Sequence, residues 1–141
     1  MTIEEEEQEI IHEFEMFERW DDKYQYLIDL GKSLPPLNEK FMTDDRLIRG
    51  CQSRVWMQSE LKNGKVYYYA DSDAIITKGL VALMVRVLFG HSPKEIMEAP
   101  LTFIDKIGLK DHLSPTRSNG LLAMVKQMKL DALALSIKDK A

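Results

Sequence analysis

Only one residue of the 141 can act as a sulfur nucleophile. Cys51 lies in the stretch Arg46-Leu47-Ile48-Arg49-Gly50-Cys51-Gln52-Ser53-Arg54-Val55-Trp56, among three arginines. Gly50 permits backbone angles that other residues avoid, and Gln52 and Ser53 are polar loop residues, which puts Cys51 on a bend ahead of a strand starting at Arg54. The thiolate is the reactive form of cysteine, and cationic neighbours lower the thiol pKa from about 8.5, so Arg46, Arg49 and Arg54 are expected to raise the thiolate fraction at neutral pH. A lone cysteine also fits a small buried hydrophobe whose reactivity is never used. The surrounding residues have to decide between the two.

A cysteine hydrolase needs a base beside its thiol, and His12, His91 and His112 stand in no recognisable nucleophile motif; they read as surface or loop residues. No spacing sets two carboxylates apart as an acid/base pair. There is no Gly-rich phosphate loop, and Lys78-Gly79 falls inside a helical run where it cannot cradle phosphate. One cysteine makes no intrachain disulfide and cannot supply the thiolate set of a structural zinc site or an iron–sulfur cluster. An activated thiol without a base can still exchange: it attacks a sulfur–sulfur bond, takes the outer sulfur and later surrenders it to another thiol. That is carrier chemistry.

The chain fits one domain, residues 1–141, 45% hydrophobic and long enough to bury a core without staples. A formal charge of −4 with dispersed basic residues argues against a nucleic-acid footprint, which needs a basic face. No apolar run approaches the roughly 20 residues that span a bilayer, so no membrane partner is expected. The start, Thr2-Ile3-Glu4-Glu5-Glu6-Glu7, is acidic where targeting peptides are basic, and a single thiol suits a reducing compartment; a soluble, cytoplasmic protein is expected.

The elements that must position Cys51 follow from periodicity. Ile3, Ile10, Phe14 and Phe17 make one face of a helix over Thr2 to Phe17, whose glutamates read as a solvated first turn. A second helix is expected from an Asp21 N-cap through Tyr24, Leu27 and Ile28 to a stop at Gly31, before Leu34-Pro35-Pro36 delivers extended chain toward Cys51. Alternation from Val55 to Leu61, then Asn63-Gly64, then Lys65 to Ala70 reads as a hairpin pairing Leu61 with Val66 and Ser59 with Tyr68. Val55, Met57, Leu61, Val66, Tyr68 and Ala70 face the core, and Trp56, Tyr67 and Tyr69 share the other face. Asp71, Ser72 and Asp73 are candidate N-caps for Ala74 to Phe89, a helix apolar nearly all round and therefore central. Ser92-Pro93-Lys94-Glu95 has the spacing of a capping box, a short helix follows over Thr102 to Ile107, and Ser114-Pro115 opens a long amphipathic helix with a Leu121, Val125, Met128, Ala132 and Leu135 stripe. The class is α+β: an antiparallel sheet built on one hairpin, packed against a buried central helix and several surrounding helices.

Four blocks carry a resemblance: Trp20 to Pro36, Ile48-Arg49-Gly50-Cys51-Gln52-Ser53-Arg54-Val55-Trp56, Asp71-Ser72-Asp73-Ala74-Ile75-Ile76-Thr77-Lys78-Gly79-Leu80, and Leu113-Ser114-Pro115-Thr116-Arg117-Ser118-Asn119-Gly120-Leu121. In order and spacing they resemble the SufE family, sulfur-acceptor proteins that work with cysteine desulfurases in iron–sulfur cluster assembly, over nearly the whole chain. The resemblance implies a SufE/IscU-like fold in which Cys51 accepts persulfide sulfur from a SufS-type desulfurase, stimulates it, and delivers the sulfur to a cluster-assembly scaffold. It implies an acceptor rather than a complete enzyme, with no cofactor of its own, the pyridoxal phosphate being the desulfurase's; a monomer or weak homodimer is the expectation for the chain, with the oligomeric state left open by the sequence. By the same match Asp73 would hold the acceptor loop and Arg117 would lie on the partner-facing surface, with Gly50, Gln52 and Arg49 as supporting or partner-binding positions. Two other readings stay open: a small cysteine-dependent enzyme, hydrolytic or peroxide-reducing, and an adaptor that activates a desulfurase by contact alone.

Overall fold

The computed structural model describes residues 1–51 and 53–140, with side chains through 138. In chain order the elements are α1 (Ile3–Glu15), α2 (Trp20–Ser33), two 3₁₀ turns (Glu39–Phe41 and Asp44–Arg46), β1 (Val55–Lys62), β2 (Lys65–Ser72), α3 (Ile75–Leu88), α4 (Pro93–Glu98), α5 (Phe103–Lys106), α6 (Leu109–His112) and α7 (Pro115–Lys140). The expected α+β class holds, with a two-stranded antiparallel sheet packed against helices. No helix among the described residues is long and apolar enough to cross a membrane.

Asn63 and Gly64 both take positive φ, 53° and 76°, as a type I′ turn requires. The turn fixes the register, and Leu61 lies opposite Val66 and Ser59 opposite Tyr68, as the alternation predicts. Val55, Met57, Val66, Tyr68 and Ala70 are buried on the inner face. The return strand runs on to Ser72 rather than ending at Ala70. Tyr68 donates its hydroxyl hydrogen to the Met128 carbonyl at 2.7 Å, which ties the hairpin to α7 without leaving a buried polar atom unpaired.

α3 is the buried centre, with Leu80, Val81, Leu83, Met84, Val87 and Leu88 almost wholly removed from solvent. Its two charged residues both reach partners. Lys78 pairs with Asp71 at 3.2 Å, and Arg86 gathers Glu6, Glu9 and Glu13 of α1 at 3.3, 3.2 and 2.6 Å. The acidic face of α1 is therefore only partly the solvated surface expected of it. Glu7 of the same run is buried, 4% exposed, and accepts the Phe103 N–H at 3.3 Å.

The helix end expected at Gly31 is not there. α2 begins at Trp20, with no side-chain cap from Asp21, and runs two residues past the glycine. A β-carbon on Gly31 would stand 2.9 Å from the Gly79 nitrogen, and one on Gly79 would stand 2.3 Å from the Leu27 carbonyl oxygen. The two glycines let α2 and α3 pack backbone to backbone. The capping box on α4 forms as its spacing requires, Glu95 N–H to Ser92 Oγ and Ser92 N–H to Glu95 Oε1, each 3.2 Å. The four-residue α6 was not legible in the periodicity. On α7, Leu121, Met124, Met128 and Ala132 are buried while Val125 and Leu135 are half-buried at the edge of the core.

Gly79→Ala is expected to destabilise the fold by about 3 kcal/mol, since the new methyl meets backbone that cannot turn aside. Gly64→Ala, with nothing within 4 Å and only its φ of +76° to oppose it, should cost about 1 kcal/mol; urea unfolding of the two variants makes the comparison. Burial raises the Glu7 carboxyl above the ordinary range, and the Phe103 N–H and Lys106 oppose it only in part. In the window between the unfolded and folded values the native state holds more protons, so stability falls as pH rises through that window and stays at the lowered level above it. Glu7→Gln should therefore raise the thermal midpoint at neutral pH and change it little in acid below the ordinary glutamate range.

Candidate functional site

The chain enters the Cys51 loop from the second 3₁₀ turn and leaves it as β1. Two contacts close its stem: Ile48 N–H donates to the Val55 carbonyl at 2.9 Å, and Leu47 lies in a bridge opposite Trp56. A third group of contacts fixes Arg54. Asp73 Oδ1 accepts the Arg54 N–H at 3.1 Å, the Asp73 N–H donates to the Arg54 carbonyl at 3.3 Å, and Ser72 Oγ donates to the same carbonyl at 2.8 Å. Asp73 thus grips the loop's downstream end. It does not cap α3, contrary to the expectation from its position; the N-cap is Ala74, with no side-chain hydrogen bond.

At the bend Gly50 has φ +95°, and a β-carbon there would come within 3.1 Å of the Ala123 Cβ. Conformation and space both require glycine. The bend lays Cys51 against α7, where Sγ donates to the Gly120 carbonyl at 3.5 Å. A β-carbon on Gly120 would sit 3.6 Å from Sγ, in ordinary van der Waals contact. Thr77 and Leu80 of α3 and Thr116, Arg117, Gly120 and Met124 of α7 line a cleft of about 300 Å³ with the cysteine. Ser114 caps α7 beside it, accepting the Arg117 N–H at 3.3 Å.

Burial pushes the half-buried Cys51 thiol above its ordinary pKa. This is opposite to the effect expected from three neighbouring arginines, and the side chains explain why. Arg46 is spent on Gln58 Oε1 at 2.7 Å, on Thr43 Oγ1 at 2.9 Å and on the face of the Phe41 ring. Arg49 is exposed and lines a separate groove with Asp131. Arg54 contributes its backbone to the Asp73 contacts and is exposed. Closeness in sequence does not become closeness to sulfur.

Of the site residues expected from sequence, Cys51 and Arg117 meet at the cleft, Gly50 makes the bend, and Asp73 holds the stem. Arg49 faces elsewhere, and Gln52 lies outside the described residues. Sequence reading assigned no site role to Thr77, Leu80, Gly120 or Met124, although the first three fall inside the blocks that carry the resemblance. No histidine lines the cleft among the described residues. His112 stacks on Trp20 at 3.9 Å, with Nδ1 3.0 Å from the Gly108 carbonyl, and His91 is buried with Nδ1 3.8 Å from Glu95. Nor, among the described residues, do three His, Cys, Asp or Glu side chains converge as metal ligands would.

Residues 8–132 match the family model described as SufE, Fe-S metabolism associated domain. The chain is 41% identical over 132 residues to SufE-like protein 1, chloroplastic/mitochondrial, of Arabidopsis thaliana, covering 93% of this chain but 36% of the longer plant protein. It is 39% identical over 126 residues to a SufE-like protein of Synechocystis, covering 87% of this chain and 79% of that one. A solution structure of a hypothetical protein from Thermus thermophilus shares the fold, with a TM-score of 0.78 at 21% identity over 94% of this chain and 96% of that one.

The folded protein's Cys51 is expected to alkylate more slowly at neutral pH than the same chain in denaturant, with a rate profile whose midpoint lies above the ordinary thiol value. Gly50→Ala, which strains the bend and pushes it off Ala123, should speed alkylation several-fold while the far-ultraviolet circular dichroism stays unchanged.

Proposed function

Because the chain belongs to the SufE family and so has a role in Fe–S metabolism, we propose that it is a sulfur carrier in which Cys51 takes sulfur from a PLP-dependent cysteine desulfurase and delivers it to a cluster-assembly scaffold. The observation that carries this reading is the site itself: a lone thiol on a gripped bend, half sheltered in a cleft beside Arg117, with no histidine among the described residues that line it. A hydrolase would need a general base there. Exchange needs none.

The step balances without an oxidant. The Cys51 thiolate attacks the outer sulfur of the donor's persulfide; the new sulfur–sulfur bond forms as the donor's breaks, and the electron pair leaves on the donor's inner sulfur as a thiolate. Delivery repeats the step with an acceptor thiol, and Cys51 departs as the leaving group. In the resting fold, burial shifts the thiol toward its protonated, less reactive form. A partner that draws the bend out of the cleft removes that burial, so activation coincides with docking. Shelter serves the loaded state as well, because an exposed persulfide is lost to other thiols and oxidants.

Incubation with a desulfurase and free cysteine should add one sulfur atom to the chain, mapped by peptide mass spectrometry to Cys51, and Cys51→Ser should abolish the gain. A chain that never gains labile sulfur defeats the carrier reading. If Cys51→Ala still stimulates desulfurase turnover fully, the protein is a contact activator instead.

A further inference from the structure

Glu7 is a buried carboxylate to which no described cation is paired. Arg86 gathers Glu6, Glu9 and Glu13 of α1, while Glu7 turns to α5 and takes the Phe103 N–H on Oε1. Two lysines stand near it without reaching it: Lys129 donates to the Ala99 carbonyl at 2.6 Å, and Lys106 is exposed. A buried charge left without a counter-charge is costly. Oε2 accepts no hydrogen bond from the described residues, and no side-chain oxygen among them is both sealed and unpartnered, so Oε2 keeps an opening. That opening is a pocket of about 390 Å³ between α1 and the chain from α4 to α5, which Glu7 lines. This end of the fold is far from the undescribed residues. Cys51, beside residue 52, packs on Gly120, about 14 Å along α7 from Lys129, and residue 139 lies about 15 Å beyond Lys129 in the other direction.

The rest of the pocket selects the kind of cation. Glu4, Glu95 and Glu98 line it with Glu7, against Lys106 as the cation among the described lining residues, so its field is negative. A metal ion does not suit it, because no three carboxylates among the described residues converge as ligands would. One oxygen of Glu7 is already taken, so a guanidinium fork cannot grip the carboxylate with both arms, whereas an ammonium offers three donors to separate acceptors. Ile3, Ala99 and Pro100 supply an apolar side along which an alkyl stem can lie. We propose that this pocket binds a primary alkylammonium group, its nitrogen against Glu7 Oε2 and its stem on Ile3, Ala99 and Pro100. The group arrives on a free amine or on a lysine side chain of another protein. Lys106 is the competitor within the chain. The site shares no lining residue with the Cys51 cleft among those described and does not rest on the carrier reading.

The test is calorimetric titration of the full chain with n-butylamine at neutral pH, where the amine is protonated, beside butan-1-ol as its uncharged counterpart. Wild type should bind the amine saturably and the alcohol about tenfold more weakly. Glu7→Gln, expected above to be the more stable protein, should lose about tenfold in amine affinity, a loss that unfolding cannot produce. Lys106→Gln, an exposed change that leaves the core alone, should gain about threefold. An acidic surface that merely attracts amines would leave Glu7→Gln equal to wild type. That equality, equal binding of amine and alcohol, or a Lys106→Gln variant no tighter than wild type would each overturn the assignment. N-acetyl-lysine N-methylamide in the same assay separates the two sources. Affinity at or above that of n-butylamine supports a lysine side chain as the occupant, and a tenfold weaker one supports a free amine.

Discussion

The backbones of α2 and α3 touch, with room at Gly79 for hydrogen and nothing larger: a β-carbon there would lie 2.3 Å from the Leu27 carbonyl oxygen. That approach sets the depth of α3, and the depth of α3 sets the site. The helix begins three residues after β2 ends, so its first turn is tied to the hairpin through the Asp73 and Ser72 contacts to Arg54. Once α3 is seated, Thr77 and Leu80 form one wall of the cleft and α7 forms the other. Burial of so wide an apolar face does most to hold the chain together, and the cysteine cleft is a by-product of where its edge falls.

The hairpin and the central helix were legible because their determinants are local. Asn63-Gly64 specifies its turn by φ alone, and alternation then fixes which side chains face in. A helix with two charges in fourteen residues has nowhere to go but the centre. Gly31 was not legible, because glycine serves equally past a helix end and at a helix crossing, and only the distant Gly79 decides between them. Asp73 failed for a related reason: the residue before a helix is a good cap in isolation, but here Arg54 offers it a donor. The arginines misled most. Their side chains are long enough to leave the sulfur they flank, and Arg46 finds Gln58, Thr43 and Phe41 instead.

Two demands meet at Cys51. A nucleophile gains from ionisation, whereas protection from stray thiols and oxidants needs closure, and in this fold burial favours the second. The hydrogen bond to the Gly120 carbonyl acts in the same sense, since an acceptor on the thiol proton stabilises the neutral form. Both effects hold the thiol toward its neutral form in this fold.

The closed stem of that bend has a geometric consequence. Ile48 is bonded to Val55, so six residues hang between two fixed posts, and Cys51 is the third of them. Fully stretched chain covers at most about 3.6 Å per residue, which confines the Cys51 Cα to a sphere of about 11 Å around its anchor. A leash of that length cannot carry a thiol deep into another protein's interior. Any group that reacts with this thiol has to come inside the sphere, and shape at the rim then screens what can enter.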